Sequence, residues 1–416
     1  MTNPVGDSHQ VASGGVIAAG RHRTFTNAVI VGDSITATAR NTSGFYWANG
    51  ANGGKMKLVA NCGISGDRSW HVLARIDNTY TNASPGLAGL TNLGRVFIRI
   101  GTNDCLDGTA VASAAANLTS LLNKIAGYTQ KVYILAVPPL GATYAAANAL
   151  VPSWNAWYAA FAAANPAQFT FIDDCVNIRD GSGNQLGSYF DPDQVHLGPA
   201  GVYQMGLIQA SSLTSELSGY ASPLSKNAAD IYPAQPQWNP NPVNAGTGGG
   251  KDGGVTGTVA TGIYIAHSGS ATSVAVVAAD VGDANQTPWQ RITPVSGTNT
   301  SWIRAGITAV GRAMSSVDPF ALDTMVEIRL SNVDSTKLGE IMLRVVANTG
   351  ELLSSDASLK MGIVTGINKT VVLRHAIKRA GATTPASALI YLYLNMQGNY
   401  SSSVGDIDFR CLTVRG

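Results

Sequence analysis

The sequence predicts an α/β domain built on a parallel sheet, followed by an all-β sandwich. Three observations carry this reading. Short β-branched or aromatic runs alternate with Ala- and Leu-rich helical segments over residues 27–219. Prolines and glycines gather between 221 and 258, and apolar and polar residues alternate with period two from 259 onward. Alternating βα units imply a parallel sheet with helices on both faces. Period-two runs separated by Gly, Asn, Asp and Ser imply antiparallel strands.

Taken in order, residues 1–24 are polar and irregular and read as an arm. In the domain at 25–220, strands are expected at 27–33, 56–62, 95–101, 131–137 and 168–173, with helices at 109–126 and 143–164. Gly198-Pro199 opens another helix over Ala200–Leu213, proline being favoured at a first helical position. In the linker at 221–258, the proline-rich half is expected to be extended and stiff, and Gly246-Thr247-Gly248-Gly249-Gly250 to be loose. Residues 259–416 carry alternating segments at 325–330, 341–346, 371–377, 389–394 and 407–414. They read as eight or nine strands of a jelly-roll-like β-sandwich that binds carbohydrate or serves assembly.

Composition narrows the function classes. The 27 basic and 25 acidic residues nearly cancel, and no Lys/Arg cluster offers the phosphate-neutralising surface of a nucleic-acid binder. No run of about 18 apolar residues suggests a membrane span. Charged residues make up only 12% of the chain, and the resulting Gly/Ala/Ser/Thr/Asn-rich surface suits an extracellular (secreted) or virion-associated protein, such as a phage tail component. The N-terminal residues lack the basic and apolar regions of a signal peptide. Cys62, Cys105, Cys175 and Cys411 show no metal or redox spacing. Cys62 and Cys105 both follow predicted strands, either as a disulfide near the site or as two buried thiols.

The chemistry concentrates in four blocks. Gly32-Asp33-Ser34 follows the apolar run Ala28–Val31, which delivers a serine hydroxyl to the carboxyl edge of a sheet. Asn61-Cys62-Gly63-Ile64-Ser65-Gly66-Asp67 and Gly101-Thr102-Asn103-Asp104 each follow another strand. Asp193-Gln194-Val195-His196 precedes the last helix of the domain, and its three-residue spacing lets a carboxylate reach Nδ1 of the imidazole while Nε2 faces a serine. Oxyanion donors are expected from the backbone N–H groups of Ser34 and Gly66 and from the Asn103 amide. Asp191 competes with Asp193 as the orienting acid but suits an Asp-Pro turn, and Asn103 alternatively closes a turn after its strand.

These blocks resemble the SGNH (GDSL-type) hydrolase family, named for its Ser, Gly, Asn and His. Ser34, Gly66, Asn103 and His196 occupy the matching positions, and the resemblance covers about residues 25–219 and none of the C-terminal half. It implies a flavodoxin-like three-layer domain, metal-free ester hydrolysis without a cofactor, and Ser34 as nucleophile. It leaves the substrate open among lipids, thioesters and acetylated carbohydrates.

Other candidates carry less. Gly6-Asp7-Ser8-His9 repeats the Gly-Asp-Ser triplet with no strand before it. Asp33 and Asp104 read as holders of loop backbone, and Asp173 and Asp174 as turn residues. His71 either lines the cleft beside Trp70 or is packed or solvated, while His22, His267 and His375 have no matching partners. Trp154, Trp157 and Tyr158 either stack on sugar rings or form the core face of their helix. No Gly-x-Ser-x-Gly elbow or His-Glu-x-x-His metal motif occurs.

The leading expectation is a serine esterase that removes O-acyl groups, acetyl above all, from a carbohydrate polymer, with the tethered sandwich supplying a second contact. A short-chain lipase or thioesterase, and a structural or receptor-binding virion protein carrying the hydrolase domain, are the alternatives. The expected partners are an acylated polysaccharide or small ester, with no nucleic acid. Sandwich faces and trimer interfaces look alike in sequence, so a homo-oligomer is compatible with the pattern.

Overall fold

The computed structural model describes residues 26–37, 39–81, 85–220, 223–224, 244–278, 288–310, 323–347, 357–362, 365–375 and 388–415. The arm with its second Gly-Asp-Ser triplet, His22 and most of the linker lie outside these residues.

Five parallel strands form the first sheet: β1 (Thr26–Gly32), β2 (Met56–Gly63), β3 (Leu93–Arg99), β4 (Lys131–Leu135) and β5 (Phe169–Ile172). Their order, β2-β1-β3-β4-β5, is the flavodoxin-like one. The chain reverses its direction of travel across the sheet between β1 and β3, and open α/β sheets place ligands beyond the carboxyl ends at such a switch point. Central β3 is buried along its whole length, whereas edge strand β2 alternates between buried and half-buried positions.

Eight helices accompany the sheet among the described residues: α1 (Ser34–Ala37), α2 (Ala39–Ala51), α3 (Ser69–Arg75), α4 (Thr102–Leu106), α5 (Val111–Ala126), α6 (Ala145–Asn148), α7 (Val151–Ala164) and α8 (Pro199–Leu217). In α5 the buried residues Ala114, Leu118, Leu121, Leu122 and Ile125 form one helical stripe. That stripe packs with α7 on the sheet face of Val29, Val31, Val96 and Ile98. The other face, with Ile30, Phe97 and Tyr133, meets α2 and α8, which completes the three layers.

The single helix expected over 143–164 is broken, because Pro152 suits the first turn of a new helix and cannot continue an old one. Within α7, Trp154 and Tyr158 are fully buried. Trp154 Nε1 donates to Thr109 O at 3.1 Å and the Tyr158 hydroxyl to Ile100 O at 2.9 Å. Half-buried Trp157 stacks on Phe161 with ring centroids 5.3 Å apart. These rings belong to the core side of the helix, which corrects the sugar-stacking alternative.

The C-terminal half contains β6 (Gly248–Lys251), β7 (Val255–Gly257), β8 (Val259–His267), β9 (Thr272–Ala278), β10 (Trp289–Ser296), β11 (Trp302–Val310), β12 (Asp323–Val333), β13 (Leu338–Ala347), β14 (Ala357–Lys360), β15 (Ile367–His375), β16 (Ala388–Met396) and β17 (Asp406–Arg415). They form two six-stranded sheets, β15-β12-β17-β10-β9-β7 and β14-β13-β16-β11-β8-β6. Among the described residues, 259–416 hold ten strands, β8–β17, against the eight or nine expected, and β6 and β7 lie in the expected linker. The pairings are antiparallel except at one edge of each sheet, where β6 and β7 run parallel to β8 and β9. The glycine segment expected to be loose is strand β6, and a Cβ at Gly249 would lie 2.2 Å from Ala260 O. The inner faces of both sheets share one apolar cluster that includes Ile303, Ile328, Leu343, Leu392 and Phe409.

That cluster does not stop at the sandwich. It continues through Met361 and Val371 to Trp47 and Tyr203 of α2 and α8. Fully buried Trp47 donates from Nε1 to Lys360 O at 2.8 Å, and its ring meets Tyr203 edge-on at 4.8 Å. Arg374, ion-paired with Asp323 and itself buried, donates from Nη1 to Gly54 O at 3.0 Å. Leu224, at the start of the expected linker, is buried against Met325, Val372 and Cys411. The sandwich is therefore seated on α2 through a buried interface.

Candidate active site

Three strand ends and one turn converge at the switch point. Asp33 sets the geometry of the first: its carbonyl accepts from Thr36 N and Ala37 N, and its Oδ1 accepts from Ile35 N at 2.9 Å. Ser34 thereby becomes the first residue of α1. The turn Asp191–Gln194 is closed by Gln194 N donating to Asp191 O at 2.9 Å and by Asp191 N donating to His196 O at 2.8 Å. Gln194 takes the left-handed conformation, φ 61°, that side chains rarely adopt. Its carbonyl accepts from Gly141 N and Gln185 Nε2, which anchors the turn to the segment after β4.

This geometry brings Ser34, His196 and Asp193 into one line. His196 Nδ1 lies 2.7 Å from Asp193 Oδ2, and Nε2 lies 2.8 Å from Ser34 Oγ. With the Nδ1 proton held by the carboxylate, Nε2 is left as acceptor for the serine hydroxyl. The second oxygen of Asp193 accepts from Val195 N and His196 N, both at 2.9 Å. Partial burial opposes ionisation of Asp193, but the N–H donors of His196 and Val195 and the imidazole outweigh it and hold the carboxyl down at about 2. Asp191 shapes the turn, as its Asp-Pro sequence suggested.

Gly66 and Asn103 stand on the neighbouring loops. Ile64 N donates to Gly32 O at 3.0 Å, tying the Gly66 loop to the end of β1. Gly66 itself has φ 83° and no atom within 4 Å of where a Cβ would stand, so the backbone conformation, not crowding, requires glycine there. The Asn103 side-chain amide donates to Asp67 O at 2.9 Å, which joins the two loops. Asp104 accepts from Ser69 N at 2.9 Å and Ser69 Oγ at 2.7 Å, fixing α3 against α4. His71 Nδ1 accepts from Arg68 N at 3.0 Å at the start of α3, and its ring lies 3.6 Å from that of Trp70. Its role is to close that helix end. All four cysteines are free and buried, so Cys62 and Cys105 are two thiols and not a disulfide.

The supporting charges were not visible in the sequence. Buried Arg75 donates to Asp67 Oδ2 at 2.7 Å, Cys62 O at 2.9 Å and Gly32 O at 3.3 Å. One guanidinium thus clamps the ends of β1 and β2 and the loop after Gly66. Arg99 pairs with Asp174, which also accepts from Gln209 Nε2. Asp174 stands in the turn that follows β5, as expected, but is completely buried there. Both clamps join residues far apart in the chain, and no local spacing announces them.

Asp33 carries an electrostatic consequence. It is completely buried, and its Oδ2 has no hydrogen-bond partner among the described residues. Burial pushes its carboxyl up to about 7, against the Ile35 N–H, Arg99 and His196 and with the aid of Asp104. The folded chain therefore holds a proton that an unfolded aspartate, with its ordinary value of 3.8, has released. The contribution of Asp33 to stability is full below about 3.8 and is lost as pH rises through about 7. Asp33→Asn is expected to raise the thermal midpoint relative to the parent more at pH 8 than at pH 5. An equal difference at both pH values would mean that Asp33 is ionised throughout.

A serine hydroxyl, an imidazole and a carboxylate in line, beside amide donors on two further loops, form the constellation of nucleophilic serine hydrolases. Residues 30–203 match the model of the GDSL-like lipase/acylhydrolase family, the family that the four sequence blocks resemble. Its established chemistry class is ester hydrolysis.

Among solved structures, the chain is similar to Axe2, an acetylxylan esterase from Geobacillus stearothermophilus. Identity is 16%, coverage 49% of this chain and 100% of that one, and the TM-score 0.36. It is also similar to a GDSL-like lipase from Bacteroides thetaiotaomicron, with 21% identity, coverage of 46% and 88%, and a TM-score of 0.35. None of the curated proteins matches the chain.

Proposed function

We propose that the chain is a serine esterase that removes O-acyl groups, acetyl above all, from a carbohydrate polymer. The observation that carries the hydrolytic half is the 2.7 and 2.8 Å relay through Asp193, His196 and Ser34. Ser34 Oγ attacks the ester carbonyl as His196 Nε2 takes its proton. Asp193 keeps Nδ1 protonated and stabilises the imidazolium that forms. The N–H groups of Ser34 and Gly66 and the Asn103 amide receive the developing oxyanion. His196 then protonates the departing sugar oxygen, and water, deprotonated by the same imidazole, releases the acid from the acyl-enzyme.

The carbohydrate half is supported by Trp70, which is 49% exposed and four residues after Gly66. An exposed indole in the first turn of α3, just beyond the loop of an oxyanion donor, suits stacking against the apolar face of a sugar ring.

The test is hydrolysis of p-nitrophenyl acetate, butyrate and octanoate, followed by acetate release from acetylated polysaccharides. Activity on the short esters together with acetate release is expected. Preference for octanoate would move the reading to a lipase, and no hydrolysis of any ester would favour a structural protein on a hydrolase scaffold.

A further inference from the structure

The sheet β14-β13-β16-β11-β8-β6 turns Ile303, Ala305, Leu343, Leu392 and Leu394 into the sandwich core. Alternation therefore points Trp302, Arg304, Arg344, Tyr391 and Tyr393 away from it. Register sets Arg304 opposite Tyr393, Arg344 opposite Tyr391, and Gly306 between Tyr391 and Tyr264. Trp302 and Tyr393 meet edge-on at 5.7 Å, and Tyr391 and Tyr393 at 5.8 Å. Tyr391 lies across Gly306, where a Cβ would come within 2.8 Å of its ring. Tyr264, 39% exposed, extends the aromatic row.

Two arginines lie among these rings. Arg304 sits 5.1 Å from the Trp302 ring and 4.7 Å from the Tyr391 ring, and Arg344 sits 5.3 Å from the Tyr393 ring. Ring contacts engage a guanidinium through its delocalised charge and use none of its N–H donors. Arg304 spends one donor on the Tyr393 hydroxyl at a long 3.4 Å and forms no ion pair among the described residues. The acids nearby are already engaged. Glu340 pairs with Lys360 and accepts from Asn395, and Asp252 accepts from the Tyr264 hydroxyl and His267 N.

We infer that this face binds an anionic polysaccharide, its sugar rings stacking on Trp302, Tyr391 and Tyr264 while a sugar carboxylate takes the fork of Arg304. Flat aromatic surface matches the apolar face of a pyranose, and the guanidinium edge matches a carboxylate bidentately. The inference extends the polymer-esterase proposal and rests on it only for the use made of the binding.

The experiment is calorimetric titration of the full chain carrying Ser34→Ala, so that no acyl group turns over. The probes are oligogalacturonate and a neutral xylo-oligosaccharide of equal length. Expected is binding of the oligogalacturonate with at least tenfold preference over the neutral chain. Adding Arg304→Ala should weaken it roughly 10- to 100-fold, with Arg304→Lys recovering only part. Tyr391→Ala should weaken both probes. The parent chain, with Ser34 in place, should hydrolyse p-nitrophenyl acetate whether or not it binds oligogalacturonate, which separates failure of this inference from failure of the esterase reading. No binding, equal binding of both probes, or indifference to Arg304→Ala would overturn it. So would self-association that Arg304→Ala abolishes, which would make the face a contact between copies.

Discussion

Ser34→Ala is expected to lower ester hydrolysis by about 10⁴- to 10⁶-fold and to eliminate acyl-enzyme formation, because the nucleophile and its base act as one unit. His196→Ala should fall to a similar level. The double variant should fall no further than either alone, since each single change already disables the transfer of the serine proton to Nε2. Additive losses would mean that the two residues do not share a step. Asp193→Asn makes a finer point. One oxygen at this position accepts two backbone N–H groups, so an amide oxygen takes that place and the NH₂ faces His196 Nδ1. The imidazole must then carry its proton on Nε2, where it can no longer accept from Ser34. A loss of about 10⁴-fold is expected for such a tautomer change. Steady-state kinetics on a short ester, with mass spectrometry of the trapped acyl-enzyme, measures all four variants. Parity of Asp193→Asn with the parent would move the orienting role away from Asp193.

Trp47→Ala carries the largest expected effect on stability. Its ring is completely buried where α2 meets the sandwich, and its indole N–H satisfies the Lys360 carbonyl. Removing a buried tryptophan costs about 3–5 kcal/mol, and the unsatisfied carbonyl adds about 1–3 kcal/mol if water cannot reach it. A markedly lower thermal midpoint by circular dichroism is expected. Because α2 begins shortly after the helix that carries Ser34, hydrolysis of a small ester should fail at the same lowered temperature. Trp47→Phe keeps most of the ring and should lie between. An unchanged midpoint would show that the junction contributes nothing to the fold. The seated sandwich also revises the expectation of a tethered appendage: a chain ending near residue 220 would expose Trp47 and leave Gly54 O without Arg374.

The parts of the site that were legible in the sequence are those in which chemistry requires local order. A strand ending in Gly-Asp-Ser, an Asp and a His three residues apart, and a proline opening the next helix each occupy one short window. Helix α2 was not legible, for a physical reason. Its run Phe45-Tyr46-Trp47-Ala48 is buried throughout, with α8 and the sandwich both packing against the helix, so no polar stripe marks a helical period. Two glycines and two asparagines weaken its propensity further. The pairings of the β3 arginines were not legible either, since Arg95 and Arg99 are buried against Glu216 and Asp174, more than 70 residues away in the chain. Strand β6 read as linker because glycine is a poor strand former, whereas close approach to β8 is what demands glycine there.

The four buried thiols have a consequence for where this chain can be made. No covalent cross-link contributes to its stability, since every cysteine is free. Burial pushes the thiols of Cys62 and Cys105 up to about 12 and raises Cys175 well above its ordinary value. Thiolate, the species that exchanges and alkylates, is therefore scarce at these three positions at neutral pH. No disulfide has to form or survive for these residues to reach their places in the fold.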